Sequence, residues 1–150
     1  MLTLRPPRPD EAARLTELCL RSKAVWGYDE AFMRACRDEL TLTPAAIASS
    51  HVVVAEEDGV LVGMAQVTTT GAVATLDKLF VEPTLLRRGS GRALFEWAER
   101  TARGAGAAVL IVESDPEAAE FYRRMGASDD GLVPSGSIPG RLIPRLKLLL

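Results

Sequence analysis

Between Leu79 and Leu94 an apolar strand runs into a loop with two glycines and three arginines, and the loop opens a helix. The segment reads Leu79-Phe80-Val81-Glu82-Pro83-Thr84-Leu85-Leu86-Arg87-Arg88-Gly89-Ser90-Gly91-Arg92-Ala93-Leu94. Its chemistry is that of an anion site. The first turn of a helix leaves N–H groups unpaired and carries the positive end of the helix dipole. Gly89 and Gly91, flanking Ser90, have no side chain to hold a ligand away from the backbone. Arg87, Arg88 and Arg92 add positive charge, and a diphosphate suits the combination. The spacing excludes a Walker A loop, because no Gly-Lys-Ser/Thr follows. It also departs from G-x-G-x-x-G, because Phe95 stands where a third glycine or alanine would recur. A glycine turn with a solvated basic face would produce the same letters, so this segment alone does not fix a ligand.

Other candidate residues lie on either side of this loop. Asp77 precedes it on the same strand, and Glu113 ends the next strand. Simple alternation puts Asp77 and Leu79 on one face, opposite Lys78 and Phe80. The segment Ser22-Lys23-Ala24-Val25-Trp26-Gly27-Tyr28 interrupts two helical patterns and carries two aromatic rings. Aromatic loops commonly line ligand sites, and packing of Trp26 and Tyr28 beneath the sheet is the alternative. Ser135, Ser137 and Arg141 belong to a Pro/Gly-rich loop, where they can contact a substrate or shape a turn.

The elements that must position these groups follow from periodicity. Met1–Arg5 alternates weakly and ends at Pro6, Pro7 and Pro9. Asp10 is expected to cap a helix carrying Ala12, Leu15, Leu18 and Cys19 on one face. Asp29 caps a second helix with Phe32, Met33, Cys36 and Leu40. Thr43-Pro44 opens one or two short turns. His51–Ala55 reads as a strand, Glu57-Asp58-Gly59 as a hairpin turn, and Val60–Thr69 and Ala72–Val81 as the next two strands. Gly89–Arg103 is a helix with Ala93, Leu94, Trp97, Ala98 and Thr101 on one face. Ala108–Val112 is apolar throughout, as a central strand requires. A helix then runs from Asp115-Pro116 to about Met125, and two strands near 128–133 and 142–150 finish the chain. The order predicts an α+β fold: a mostly antiparallel, twisted sheet of about seven strands with about four helices on its two faces.

Composition sets the outer limits. The chain has 150 residues, 47% of them hydrophobic and 25% charged, with a formal net charge of −2. One domain, residues 1–150, is expected, and a chain of this size holds a core without staples. The slightly acidic balance argues against nucleic acid as a partner. Two cysteines and one histidine make neither a disulfide framework nor a metal site of the usual ligand types, and Cys19 and Cys36 read as buried thiols. The N-terminus has no apolar signal region. The longest uncharged run, Gly59–Leu76, holds Gln66, threonines and glycines, unlike a membrane span. A soluble cytoplasmic protein with no membrane partner is expected.

Taken together, the loop and a second segment resemble the GNAT superfamily of N-acetyltransferases. Val81, Pro83, Gly89 and Gly91 match the family's strand end and its Q/R-x-x-G-x-G/A loop, with Leu86 in place of the usual Gln or Arg. Downstream, Asp115-Pro116-Glu117-Ala118-Ala119-Glu120-Phe121-Tyr122-Arg123-Arg124-Met125-Gly126-Ala127 is similar to the family's N-x-x-A-x-x-x-Y-x-x-x-G-F segment. There Asp115 replaces Asn, and Ala127 replaces the aromatic. The resemblance covers roughly residues 50–130 well. It implies acetyl-CoA as cosubstrate, bound by Leu79, Phe80, Val81, Arg87, Arg88, Gly89, Ser90, Gly91, Arg92 and Asp115. It implies a backbone N–H of Leu79 or Phe80 on the thioester carbonyl, with Val81 pairing to the pantetheine arm. It makes Tyr122 the general acid and Asp77 a general base, with Glu113 or a water relay as alternatives. The acceptor, an amine of a small molecule or peptide, would meet Trp26, Tyr28, Ser135 and Ser137. The SKxxWGY and SGSIPGR segments resemble features of a bacterial subgroup that defines no substrate. Many relatives are dimers, and the apolar end Leu148-Leu149-Leu150 would serve a homodimer or a core strand of the same chain. A non-catalytic acyl-CoA sensor on the same fold is the competing reading; a nucleotide-binding oxidoreductase ranks far below.

Overall fold

Strand β2 (His51–Glu57) is buried on both faces, and that double burial divides the molecule into two apolar layers. Val53 and Ala55 face one cluster, and Val52 and Val54 face the other. The computed structural model describes residues 1–85 and 89–150. Chain order is β1 (Leu2–Arg5), α1 (Ala12–Ala24), α2 (Glu30–Leu40), α3 (Pro44–Ser49), β2, β3 (Val60–Thr70), β4 (Val73–Val81), α4 (Ser90–Gly104), β5 (Val109–Glu113), α5 (Ala119–Arg124), β6 (Ser128–Pro134) and β7 (Leu142–Leu149). The strands form one sheet in the order β1-β2-β3-β4-β5-β7-β6. Every neighbouring pair is antiparallel except β4–β5, which the crossover through α4 makes parallel.

The expected α+β architecture is therefore present, with five α-helices among the described residues rather than about four. The additional one is the single short segment α3, which Thr43 caps by accepting the Ala46 N–H at 3.1 Å. The turn at Asp58-Gly59 has positive φ at both residues (50° and 79°), as a two-residue hairpin demands.

One expectation is corrected, and one open alternative is decided. Asp10 does not cap α1. Pro9–Glu11 forms a 3-10 turn, and the buried Glu11 carboxylate takes the Arg8 N–H at 2.7 Å and the Arg5 guanidinium at 2.8 Å. That pairing holds the Glu11 pKa down near 2. The last strand is not an open edge for a second subunit, because β5 and β6 occupy both sides of β7.

On one face, Leu94, Phe95, Ala98 and Ala102 of α4 pack with Ala119 and Tyr122 of α5 against the sheet. On the other, Leu15, Leu18 and Cys19 of α1 meet Cys36 and Leu40 of α2. Gly63 lets α4 and β4 close on β3. A Cβ there would lie 2.9 Å from both the Phe80 carbonyl oxygen and Leu94 Cδ1. The carbonyl cannot move without disturbing the β3–β4 ladder. Gly63→Ala is therefore expected to lower stability by about 1–3 kcal/mol in denaturant unfolding. An unchanged midpoint would show that the two strands have slack at this point.

Candidate functional site

The parallel pairing of β4 with β5 lasts only from Val73–Thr75 against Val109–Ile111. Beyond it, β4 runs on to Val81 with only β3 beside it, and β5 continues only against β7. The register explains the parting. Val67 opposes Leu76 and Gln66 opposes Lys78, which leaves Asp77 as the extra residue of a β-bulge. A bulge bends and twists its strand, and here it sits directly after the last β4–β5 pair. It also breaks the simple alternation expected for this strand. Leu76 packs in the same cluster as Leu79 and Val81, while Phe80 faces the opposite one.

The parting opens a cleft of about 670 Å³. One strand edge is exposed along it. The Glu82 N–H bonds to the Val62 carbonyl at 2.8 Å, and the Phe80 carbonyl points at Gly63. Backbone groups alternate in direction along a strand. Phe80 and Glu82 are thus committed to β3, and the N–H groups of Leu79 and Val81 face the cleft. Of the two donors that sequence leaves open, Leu79 is the one on the free edge.

Gly89, at φ 84°, turns the chain into α4, and Ser90 is buried in its first turn. Gly91 has a packing role as well as an access role, because a Cβ there would meet the Phe121 ring at 3.2 Å. Gly89, Gly91 and Arg92 line the cleft, and Arg92 pairs with Glu96 at 3.9 Å. Arg87 and Arg88 lie outside the described residues.

Tyr122 enters from α5. Its ring packs against Phe121 (5.1 Å between centroids) and Phe95 (5.9 Å). The side chain is 7% exposed, lines the cleft, and makes no side-chain hydrogen bond among the described residues. Burial first, and then the Asp115 charge, push its pKa upward. Asp77 also lines the cleft, and loss of solvent raises its pKa. The Thr68 hydroxyl and Lys78 oppose that shift, whereas Glu113 adds to it.

Asp115 and Tyr28, assigned from sequence to cofactor and acceptor respectively, are joined to each other. The Tyr28 hydroxyl donates to Asp115 (2.8 Å), and Arg141 Nη2 donates to Tyr28 (3.0 Å). Lys23 Nζ is 2.8 Å from the same carboxylate, which also takes the Glu117 N–H at 2.9 Å. Tyr28 stacks on Phe32 with centroids 3.9 Å apart, and Lys23 and Arg141 lie over both rings. This cluster ties the α1–α2 loop, the start of the Asp115 turn and the β6–β7 loop together at the cleft mouth. Tyr28 braces that junction, and Trp26, 43% exposed, lines the cleft. Ser135 and Ser137 line it too. Ser135 Oγ accepts the N–H groups of Ser137 and Ile138 (3.2 and 3.1 Å), and Ser137 Oγ bonds to Glu39 of α2.

Sequence reasoning missed the parts played by Lys23, Glu39 and Arg141, whose partners lie 92, 98 and 26 positions away. No local pattern announces such pairs. Among the described residues there is no cluster of metal-ligating side chains, and no helix is long and apolar enough to cross a membrane.

A splayed parallel pair, an open strand edge and a glycine-led helix N-terminus thus surround one cleft. Residues 48–126, more than half of the chain, match the family model described as an acetyltransferase (GNAT) domain. The chain belongs to the GNAT acetyltransferase family. Its fold is similar to that of a GCN5-related N-acetyltransferase from Rhodopseudomonas palustris (25% identity, TM-score 0.82, 99% of this chain and 95% of that one). It is also similar to PaiA N-acetyltransferase from Thermoplasma acidophilum in complex with coenzyme A (16% identity, TM-score 0.82, 100% and 99%). A third likeness is to YncA from Salmonella typhimurium with acetyl-CoA (20% identity, TM-score 0.69, 99% and 94%). No curated protein matches the sequence.

Asp115 gives a direct test of the junction. Burial raises its pKa, but Lys23, the Glu117 N–H and Tyr28 outweigh that and leave it below the ordinary 3.8. A depressed carboxylate stabilises the fold above its unfolded pKa and loses that contribution as the pH falls through its folded value. Asp115→Ala is expected to cost about 3 kcal/mol at neutral pH by stranding Lys23 and Arg141. The difference from the parent should shrink as the pH drops below 4, in parallel urea titrations. A pH-independent difference would show that the loss is packing rather than charge.

Proposed function

We propose that this chain is an N-acetyltransferase that moves an acetyl group from acetyl-CoA to an amine of a small molecule or peptide. The observation that carries the reading is the placement of the open β4 edge, the α4 N-terminus and the Tyr122 ring around one cleft. A free strand edge takes an extended amide chain as an added strand, and the pantetheine arm of coenzyme A is such a chain. The α4 N-terminus suits its diphosphate, with Gly89, Ser90, Gly91 and Arg92 in contact and Arg87 and Arg88 assigned to the same group. Acetyl-CoA supplies an acyl group activated as a thioester.

In this assignment the Val81 N–H pairs with an amide of the arm, and the Leu79 N–H holds the thioester carbonyl oxygen. A preorganised donor of that kind is worth about 10²–10³ in rate. Asp77 takes the proton from the incoming ammonium, directly or through water. Its raised pKa makes it a better base than an ordinary aspartate. The neutral amine attacks the carbonyl carbon, the C–N bond forms, and the C–S bond breaks. Tyr122 then gives its proton to the departing sulfur, and the proton that the new amide nitrogen sheds returns through water to the Tyr122 phenolate. Burial keeps Tyr122 protonated until that moment, and the same burial disfavours a free thiolate. Trp26, Ser135 and Ser137 border the acceptor, while Tyr28 and Asp115 hold the walls in place. The 150 residues act as one cytoplasmic domain.

The test has two parts. In calorimetric titrations, acetyl-CoA and CoA are expected to bind in the micromolar range and NAD not at all. Tyr122→Phe is expected to lower kcat by about 10²-fold with acetyl-CoA binding retained. Binding without thiol release across an amine panel would replace the enzyme by an acyl-CoA sensor. Failure to bind any CoA species would remove the reading altogether.

A further inference from the structure

Among the described residues, one cation that lines the cleft makes no ion pair. Lys78 is half-buried on β4, next to the Asp77 bulge, and lines the cleft. Its Nζ donates to Gln66 Oε1 at 3.1 Å. Gln66 is in turn fixed by its own donation to Ser50 Oγ at 3.0 Å, and Ser50 by its donation to the Ala46 carbonyl at 2.6 Å. The lysine is therefore held in position by a chain of neutral groups. Among the described residues no carboxylate lies within 4.0 Å of it, whereas Lys23 and Arg141 share Asp115. An ammonium has three N–H donors, and a single neutral acceptor leaves two of them for another partner. Partly burying a cation without an anion is costly, and the cost is offset if a ligand brings the anion.

The surroundings say which anion. Lys78 and Phe80 lie on the side of β4 that faces α1 and α2, the wall that also includes Ser22, Trp26 and Leu40. The open N–H groups of Leu79 and Val81, by contrast, lie along the strand edge. The lysine is thus on the acceptor wall rather than in the groove for an extended amide chain. Asp77 precedes it and also lines the cleft, so a cationic and an anionic side chain both border the space proposed for the acceptor. One lysine matches a monoanion. A phosphate dianion generally draws a guanidinium fork or several N–H groups, and the nearby Arg141 is already bonded to Tyr28 at 3.0 Å.

We propose that the acceptor is an amine that also carries a carboxylate, an amino acid in the first instance, and that Lys78 binds that carboxylate while Asp77 receives the amine. The inference rests on the acetyl-transfer reading and names the substrate class of that site. The experiment compares kcat/KM for leucine against 3-methylbutylamine, phenylalanine against phenethylamine, and lysine against cadaverine, with acetyl-CoA saturating. For at least one pair the carboxylate member is expected to be favoured by about 10- to 100-fold, the value of a charge-assisted hydrogen bond. Lys78→Met should collapse that ratio toward one, and Lys78→Arg should keep much of it. Calorimetric binding of acetyl-CoA by each variant reports that it is folded. A wild-type enzyme that uses the decarboxylated members equally well or better overturns the inference and leaves acetyl transfer standing. So does a Lys78→Met variant that keeps the preference. Silence of every pair, with acetyl-CoA still bound, removes acetyl transfer to such amines and this inference with it.

Discussion

The site depends on β4 and β5 being partners for three residues and strangers afterwards. A parallel pair that stayed in register to the ends of both strands would close the sheet, and the cleft would not exist. The single extra residue at Asp77 sets the limit, because it follows the last paired position and turns β4 away from β5. The consequences are backbone consequences first. Leu79 and Val81 keep N–H groups that no strand takes, while Phe80 and Glu82 remain tied to β3. An unpaired strand edge is normally a hazard that proteins cover. Here it lies inside a cleft between α4, α5 and the β6–β7 loop.

Holding two strands apart requires support on both sides of the gap. On the β5 side the support is aromatic, with Phe95, Phe121 and Tyr122 packed edge to face between α4 and α5. Gly91 permits this by leaving room for the Phe121 ring, so one glycine serves both the helix start and the contact between the helices. At the mouth the support is ionic. Asp115 draws Lys23, Tyr28 and Arg141 together from three separate stretches of chain. That carboxylate is largely buried, which raises the value of each bond and also the cost of breaking one.

The parts of this arrangement that sequence disclosed are the local ones. The apolar run at His51–Ala55, the Asp58-Gly59 turn, the helical face from Leu94 to Ala98 and the glycine pair at Gly89 and Gly91 each follow from neighbours a few residues away. The helix after the loop and the tyrosine on α5 were legible because their spacing is fixed by one helix each. The bulge was not, since alternation carries no sign of one extra residue until the partner strand is known. The start of α1 was misread because Asp10 looks like a cap, whereas the neighbouring Glu11 is claimed by Arg5 on β1. Nothing near Asp115 or Tyr28 in sequence reveals that they face each other across 87 positions.

This division has a chemical reason. An extended arm and a diphosphate are recognised by main-chain groups, at a strand edge and a helix start, so the signature survives in short motifs. The rest of the cleft wall consists of side chains from α1, α2, β4 and the β6–β7 loop. Such a wall has no consecutive sequence to read. Its character emerges only when charges are paired off in space: Lys23 and Arg141 are matched by Asp115, Arg92 by Glu96, and Arg124 by Glu120. Lys78 is the cleft lysine left with a neutral partner. The bulge falls on Asp77, the residue before it, so one irregularity in β4 lies between the free strand edge and a wall that carries both charges, as the proposed function requires.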